Sequence, residues 1–130
     1  HIPFNEIAEM AYGDGADYFC RVSDDTDFIT NNWITAGTTA LKKYNPPNLG
    51  VVGPTCKEEG GKEVMTHDMV HRTHLDIFGK DKYYPAELHN VDDWITLVYS
   101  AKTLGKGFDR STRLSASQWA VKHWIFPTRY

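Results

Sequence analysis

Several features that would place the chain in a common protein class are missing from its sequence. No apolar run approaches the ~20 residues that a transmembrane helix requires. No secretory signal peptide is visible, and the chain starts with His1 rather than Met, so we expect a processed product or a fragment. The two cysteines, Cys20 and Cys56, do not define a disulfide framework. One small globular domain of 130 residues is the remaining expectation.

Common catalytic motifs are missing as well. The sequence contains neither of the standard Gly-rich phosphate loops and no nucleophile elbow built around a serine. It also contains no internal repeat and no low-complexity tract. Any catalytic site must therefore be inferred from charged residues and their spacing.

Charge is distributed unevenly along the chain. Residues 102–130 contain six basic residues and one acid, a local charge of +5, so the total of −3 leaves −8 for residues 1–101. A nucleic-acid-binding domain normally carries a dominant basic patch, which this composition does not provide. An acidic body with a basic tail suits a metal site covered by a phosphate-binding flap. A solvated surface without a ligand is the alternative.

An acidic cluster directly follows an apolar run near the start of the chain. Residues 18–22 are typical of a buried strand, and Asp24, Asp25 and Asp27 come after it within four positions. Open α/β sheets bind ligands at the carboxyl ends of strands, and Mg²⁺ and Mn²⁺ prefer oxygen ligands. The cluster therefore indicates a metal–phosphate site, with an Asx turn or a helix N-cap as the alternative.

Hydrophobic periodicity predicts a succession of helices and strands. Helices are expected at residues 3–12, 33–44, 73–79 and 90–101, and strands at residues 16–23, 49–53 and 64–71. Residues 104–113 are expected to be mobile, and a last helix is expected to start at Ser115 and carry Trp119, His123 and Phe126. The pattern predicts a single α/β domain over residues 1–130, with a mixed sheet flanked by helices and a basic C-terminal flap and helix at residues 102–130.

Three histidines in the middle of the chain allow two interpretations. On one continuous helix, His67, His71 and His74 would share a face and could bind zinc, as in a zinc hydrolase. A strand ending at His71 and a helix starting at Thr73 would separate them. We favour the second interpretation, because residues 73–76 resemble a capping box and Gly79 stands where a C-cap belongs.

The order of these segments resembles the second half of GT-A-type glycosyltransferases, which are nucleotide-sugar-dependent enzymes with a DxD metal motif. The resemblance rests on the strand with its acidic cluster, a helix with Trp33, a Val-Val-Gly-Pro strand, residues 71–79 and the acidic pair at Asp92 and Asp93. It covers most of residues 5–101. The uridine-binding half of that family should precede these motifs, so the resemblance implies a fragment that lacks its N-terminal nucleotide-binding half.

Carried over residue by residue, the resemblance implies a role for each acid. Asp25 and Asp27, with Asp24 as an alternative member, would hold Mn²⁺ or Mg²⁺ against the diphosphate of a nucleotide-diphosphate sugar. Asp92 and Asp93 match the acidic pair, and Asp93 is the better candidate for the base that deprotonates a hydroxyl of a glycan or another acceptor. A base there implies inversion at the sugar carbon. In a eukaryote, the family would imply the Golgi lumen.

The basic tail supplies candidates for contacts with the donor phosphates. They are Lys106, Arg110, Arg113 and His123. A non-catalytic metal- or carbohydrate-binding α/β domain is the alternative function. Its acidic turn would bind Ca²⁺ with additional carbonyl or amide oxygens, or would bind no ion.

Overall fold

The computed structural model describes residues 3–23, 25–56, 65–86 and 91–123. These residues form an α/β fold in which two mixed sheets are flanked by helices. The helices are α1 (Phe4–Gly13), α2 (Trp33–Lys42), α3 (Thr73–Phe78), α4 (Val91–Val98) and α5 (Ala101–Leu104). The strands are β1 (Tyr18–Arg21), β2 (Thr26–Phe28), β3 (Val51–Gly53), β4 (Thr55–Cys56), β5 (Asp68–His71), β6 (Ser111–Arg113) and β7 (Ala120–His123).

The larger sheet has four strands in the order β1-β5-β3-β6. Strand β5 runs antiparallel to both β1 and β3, whereas β3 and β6 are parallel. Strands β1, β3 and β6 therefore finish at the same end of the sheet, where β5 begins. Arg21, the last residue of β1, lies opposite Asp68, the first residue of β5. We call this end of the four-stranded sheet the Arg21 end.

The smaller sheet has three strands in the order β2-β7-β4. Strand β7 is antiparallel to β2 and parallel to β4. The register places Thr26 opposite His123 and Asp27 opposite Lys122. This sheet joins a segment near the start of the chain to one near its end.

The prediction of a last helix starting at Ser115 is wrong. The backbone N–H of Gln118 and that of Trp119 both donate to the carbonyl of Ser115, which closes a turn, and the chain then enters β7. Trp119 and Val121 are buried while Ala120 between them is half-buried, which is the alternation of a strand. Phe126, the last member of the expected helical stripe, lies outside the described residues.

Other expectations are confirmed at the level of element type. Helices were expected where α1, α2, α3 and α4 occur, and strands where β1, β3 and β5 occur. The N-cap expected at residue 90 lies outside the described residues. Residues 111–113, which we expected to be mobile, form β6 beside β3. The described part of the expected basic flap thus contributes one strand to each sheet.

Apolar side chains cover both faces of the four-stranded sheet. Val51 and Val70 pack in one hydrophobic cluster with residues of α1, α3 and α4. Val52 and Met69 pack in a second cluster with residues of α2 and β7. Neighbouring residues of a strand point to opposite faces, so each central strand is apolar at consecutive positions.

The longest helices of the described residues, α1 and α2, have ten residues each. None of the described helices has the length and hydropathy needed to span a lipid bilayer.

Candidate functional site

Arg21 is the charged centre of the Arg21 end. Its side chain is 10% exposed, and its Nε donates a hydrogen bond to Oδ2 of Asp68 at 2.8 Å. Its Nη2 lies 2.5 Å from Oδ1 of Asp92, in the first turn of α4. Burial alone would lower the pKa of Arg21, but the carboxylates of Asp68 and Asp92 outweigh burial and raise that pKa. The two ion pairs therefore hold β1, β5 and α4 together.

Asp68 is a fully buried carboxylate with both oxygens engaged. Arg21 binds Oδ2, and the hydroxyl of Tyr83 donates to Oδ1. Burial raises the pKa of Tyr83, and the neighbouring charge of Asp68 raises it further. A buried charge without a partner is strongly destabilising, so the pairing with Arg21 is required for the fold.

A buried histidine extends this network into the core. Nε2 of His74 lies 2.7 Å from the carbonyl oxygen of Tyr83, and its Nδ1 is hydrogen-bonded to the hydroxyl of Tyr99. A carbonyl only accepts, so Nε2 carries the proton and Nδ1 accepts from Tyr99. Burial lowers the pKa of His74, which keeps this neutral form. We assign His74 a structural role.

The acidic turn, of which residues 22, 23 and 25 are described, follows β1, and Asp27 lies just beyond it in β2. The hydroxyl of Ser23 donates to Oδ1 of Asp25 at 2.7 Å and lies 2.7 Å from Oγ1 of Thr26. Oγ1 of Thr26 in turn lies 2.7 Å from Nε2 of His67. Asp25 is half-buried and Asp27 is exposed. Asp24, the third expected metal ligand, lies outside the described residues.

The two acidic segments lie at the same end of the larger sheet. The turn with Asp25 follows β1 directly, and Oγ of Ser23 in this turn lies 3.5 Å from Nε2 of His67, which precedes β5. Asp92 is bound to Arg21 at the end of β1. Asp93, the expected base, is exposed in the first turn of α4. Asp92 is thus engaged in an ion pair, whereas Asp93 faces solvent.

Not all of the expected phosphate-binding residues of the basic tail lie at the Arg21 end. The backbone of His123 pairs with Thr26, between Asp25 and Asp27. Arg113 lies at the carboxyl end of β6, two strands away from β5. Arg110 precedes β6 at the opposite end of the sheet and donates to the carbonyls of residues 45 and 49. Lys106 is exposed in the turn after α5.

The three central histidines have separate surroundings, as the strand-then-helix interpretation predicted. His67 binds Thr26 and His74 binds Tyr99, while Nδ1 of His71 accepts the backbone N–H of Thr73. The hypothesis that these three imidazoles form a zinc site is therefore wrong. Among the described residues, no group of three or more histidine, cysteine or acidic side chains is arranged to hold a metal ion.

The carboxylates expected to bind a metal can be compared with what such an ion requires. Mg²⁺ is usually bound by one or two carboxylates together with substrate phosphates, and this segment carries Asp25 and Asp27. A closed cage of protein ligands is not formed by the described side chains. A hard cation that arrives with a diphosphate is the kind of metal that two carboxylates would suit.

Comparisons with protein-family models, curated proteins and solved structures find no match to this chain. Its function is therefore inferred from the residues at the Arg21 end.

Sequence reasoning missed the residues that organise this end. Arg21 and Asp68 were not singled out, and His67 was considered only as a zinc ligand. A signal was present, because Asp68 shares its strand face with Val70, and a carboxylate on an apolar face implies a buried cationic partner. The identity of that partner depends on register, which no local pattern specifies.

Proposed function

We propose that the protein is a metal-dependent glycosyltransferase that resembles the GT-A type. It would transfer a sugar from a nucleotide-diphosphate donor to a hydroxyl acceptor, with inversion at the sugar carbon. One observation supports the proposal: two acidic segments far apart in sequence both adjoin the Arg21 end. Residue 25 follows β1 after a short turn, and Asp92 is bound to Arg21. The α/β fold with mixed sheets is compatible with this class of enzyme.

Each acidic residue at the site would have a separate role. Asp25 and Asp27 would hold Mn²⁺ or Mg²⁺ against the donor diphosphate. When bound, the metal neutralises charge on the leaving nucleotide diphosphate as a Lewis acid. Asp93, exposed at the start of α4, would accept the proton of the attacking hydroxyl. The ion pair between Arg21 and Asp92 would fix the first turn of α4, and with it Asp93.

The register of the smaller sheet supports a contribution from the tail. His123 lies opposite Thr26 and Lys122 lies opposite Asp27, so β7 runs directly beside the proposed metal ligands. Lys122, which pairs with Asp27, would thereby bring an ammonium group to the region of the donor diphosphate. Arg110 has no part in this proposal, because it lies at the other end of the sheet and binds carbonyls there.

A separate observation favours the non-catalytic alternative. A groove of about 750 Å³ lies between α2 and the segment from β6 to residue 118. Besides basic and apolar residues, its lining includes hydroxyl and amide side chains that suit the hydroxyls of a carbohydrate, namely those of Asn32, Thr35, Thr39, Thr112, Ser117 and Gln118. A carbohydrate-binding domain would use this groove and would need no metal at the acidic turn.

Calorimetric titration separates the two functions. The protein is titrated with a nucleoside diphosphate in the presence of Mn²⁺, in the presence of Ca²⁺ and without a metal. The transferase proposal predicts binding that requires Mn²⁺. An oligosaccharide that binds without metal, combined with no nucleotide binding under any condition, would favour the carbohydrate-binding domain and contradict the transferase.

A further inference from the structure

The hydrogen bonds around His67 run in a single direction. A carboxylate only accepts, so the one proton of the Ser23 hydroxyl is directed to Asp25. The contact between Ser23 and Thr26 at 2.7 Å must then use the proton of Thr26. Oγ1 of Thr26 has no second proton for His67, so Nε2 of His67 carries a proton and donates it to Oγ1.

The contact on the other side of the imidazole is compatible with this assignment. Oγ1 of Thr66 lies 3.1 Å from Nδ1 of His67, and a hydroxyl can donate to a ring nitrogen that carries no proton. A directed series therefore runs from Thr66 through His67, Thr26 and Ser23 to the carboxylate of Asp25. Every member donates to the next, and the series ends at a proposed metal ligand.

His67 is held firmly enough to orient its partners. It is 1% exposed and directly precedes the buried ion pair of Asp68. Its carbonyl oxygen also lies 2.7 Å from the point where a Cβ on Gly53 would stand, so the two backbones are in close contact. A buried imidazole on such a backbone can fix the Thr26 hydroxyl more tightly than water can.

We infer that His67 is a positioning residue for the metal–diphosphate site, acting through Thr26 and Ser23 on the carboxylate of Asp25. The inference rests on the proposed function. Groups that orient metal ligands through hydrogen bonds typically contribute about 10–100-fold to metal affinity. The imidazole itself touches neither the metal nor the donor.

The first test measures Mn²⁺-dependent binding of a nucleoside diphosphate to variants of the full chain. His67→Phe and Thr26→Val should each weaken binding about 10–100-fold, and the double variant should lose little more, because both changes interrupt the same series. His67→Gln keeps a side-chain N–H and should recover part of the affinity. His71→Phe, at the end of β5, is the control and should bind like the unmodified protein, because His71 contacts Thr73 instead.

The outcomes distinguish a failure of the role inferred for His67 from a failure of the proposed function. Normal binding by His67→Phe, in a protein whose unmodified form binds, would overturn the role of His67 and leave the proposed function intact. No Mn²⁺-dependent binding by the unmodified protein would overturn both. Where His67→Phe does not fold, Thr26→Val carries the same test with the imidazole in place.

A second test does not depend on any variant or ligand. The ¹⁵N chemical shifts of an imidazole distinguish a proton on Nε2 from one on Nδ1. In the metal-free protein, Nε2 of His67 should carry a proton and Nδ1 should not. A proton on Nδ1 would reverse the direction of the series and overturn the inference.

Discussion

Arg21 and Asp92 lie 71 positions apart in the sequence and are joined by an ion pair of 2.5 Å at the end of β1. The same guanidinium binds the buried carboxylate of Asp68. The guanidinium of Arg21 thus forms ion pairs with two carboxylates, the buried one of Asp68 and the partly exposed one of Asp92. This arrangement connects the strand before the acidic turn to the helix that carries Asp93.

The two partners of Arg21 should contribute very differently to stability. Arg21→Leu leaves Asp68 as an unpaired buried charge and should lower the free energy of unfolding by about 3–5 kcal/mol. Asp92→Asn removes a pair whose carboxylate side chain is 36% exposed, and should cost about 1 kcal/mol or less. Urea denaturation measures both changes. Similar losses for the two variants would contradict the central role of Asp68.

The stability of the protein should fall when the pH drops below neutrality. Burial lowers the pKa of His74 in the folded protein, whereas the unfolded chain has a pKa of about 6.5. Below that value the unfolded state binds more protons, so the free energy of unfolding decreases as the pH falls from about 6.5 towards the folded pKa. Above about 6.5 the contribution of His74 is fully present.

Denaturation curves recorded between pH 7 and pH 5 test this expectation. His74→Gln, which cannot titrate, should show a shallower loss of stability with falling pH than the unmodified protein. The nearby carboxylate of Asp68 partly opposes the effect of burial on His74. An unchanged pH dependence in the variant would assign the loss to other groups.

The base proposed at the start of α4 gives a kinetic prediction. Asp93→Asn should lower turnover by about 10²–10⁴-fold while donor binding is retained. Because Asp93 is exposed, the melting temperature should hardly change. Asp81→Asn removes the same charge at another exposed position and should leave turnover unchanged. Loss of folding in Asp93→Asn would indicate that the carboxylate serves only to stabilise the helix.

Trp119, which directly precedes β7, allows a test of the packing beside that strand. Its indole is fully buried and stacks on Trp33 with ring centroids 5.4 Å apart. Trp119→Ala should destabilise the protein by about 3–5 kcal/mol. Its Nε1 has no hydrogen-bond partner among the residues that the structure describes, so Trp119→Phe loses packing alone and should cost clearly less. Equal losses would point to a hydrogen bond of the indole.

The sequence predicted those elements whose signals are local. Helix α1 ends at Gly13, and α3 starts at Thr73 and has its C-cap at Gly79, as expected. The capping box expected at residues 73–76 is wrong, because the N-cap is Arg72, no side chain of the described residues caps the helix, and the hydroxyl of Thr73 contacts His71. The acidic turn and the first turn of α4 were found for the same reason. These features depend on neighbours within a few residues, which sequence patterns record.

The missed features depend on contacts between distant segments. Strands β2, β4, β6 and β7 have two to four residues each, too few for a clear period. Their pairing joins positions such as Thr26 and His123, so only tertiary structure identifies them as strands. The spacing of Trp119 and His123 happens to match a helix as well. The hydrogen bonds of His67 could not be predicted for the same reason, because they require the register of three segments.

The most direct test of the account is the melting temperature with Mn²⁺ and a nucleoside diphosphate added together. A ligand that binds only the folded state raises this temperature, so the unmodified protein should melt higher with both additions than with either alone. Asp25→Asn combined with Asp27→Asn should abolish the rise. Asp14→Asn combined with Asp81→Asn, which removes the same charge at two other exposed positions, should retain it. No rise in the unmodified protein, or an equal rise in the Asp25 and Asp27 variant, would contradict a metal–diphosphate site at the acidic turn.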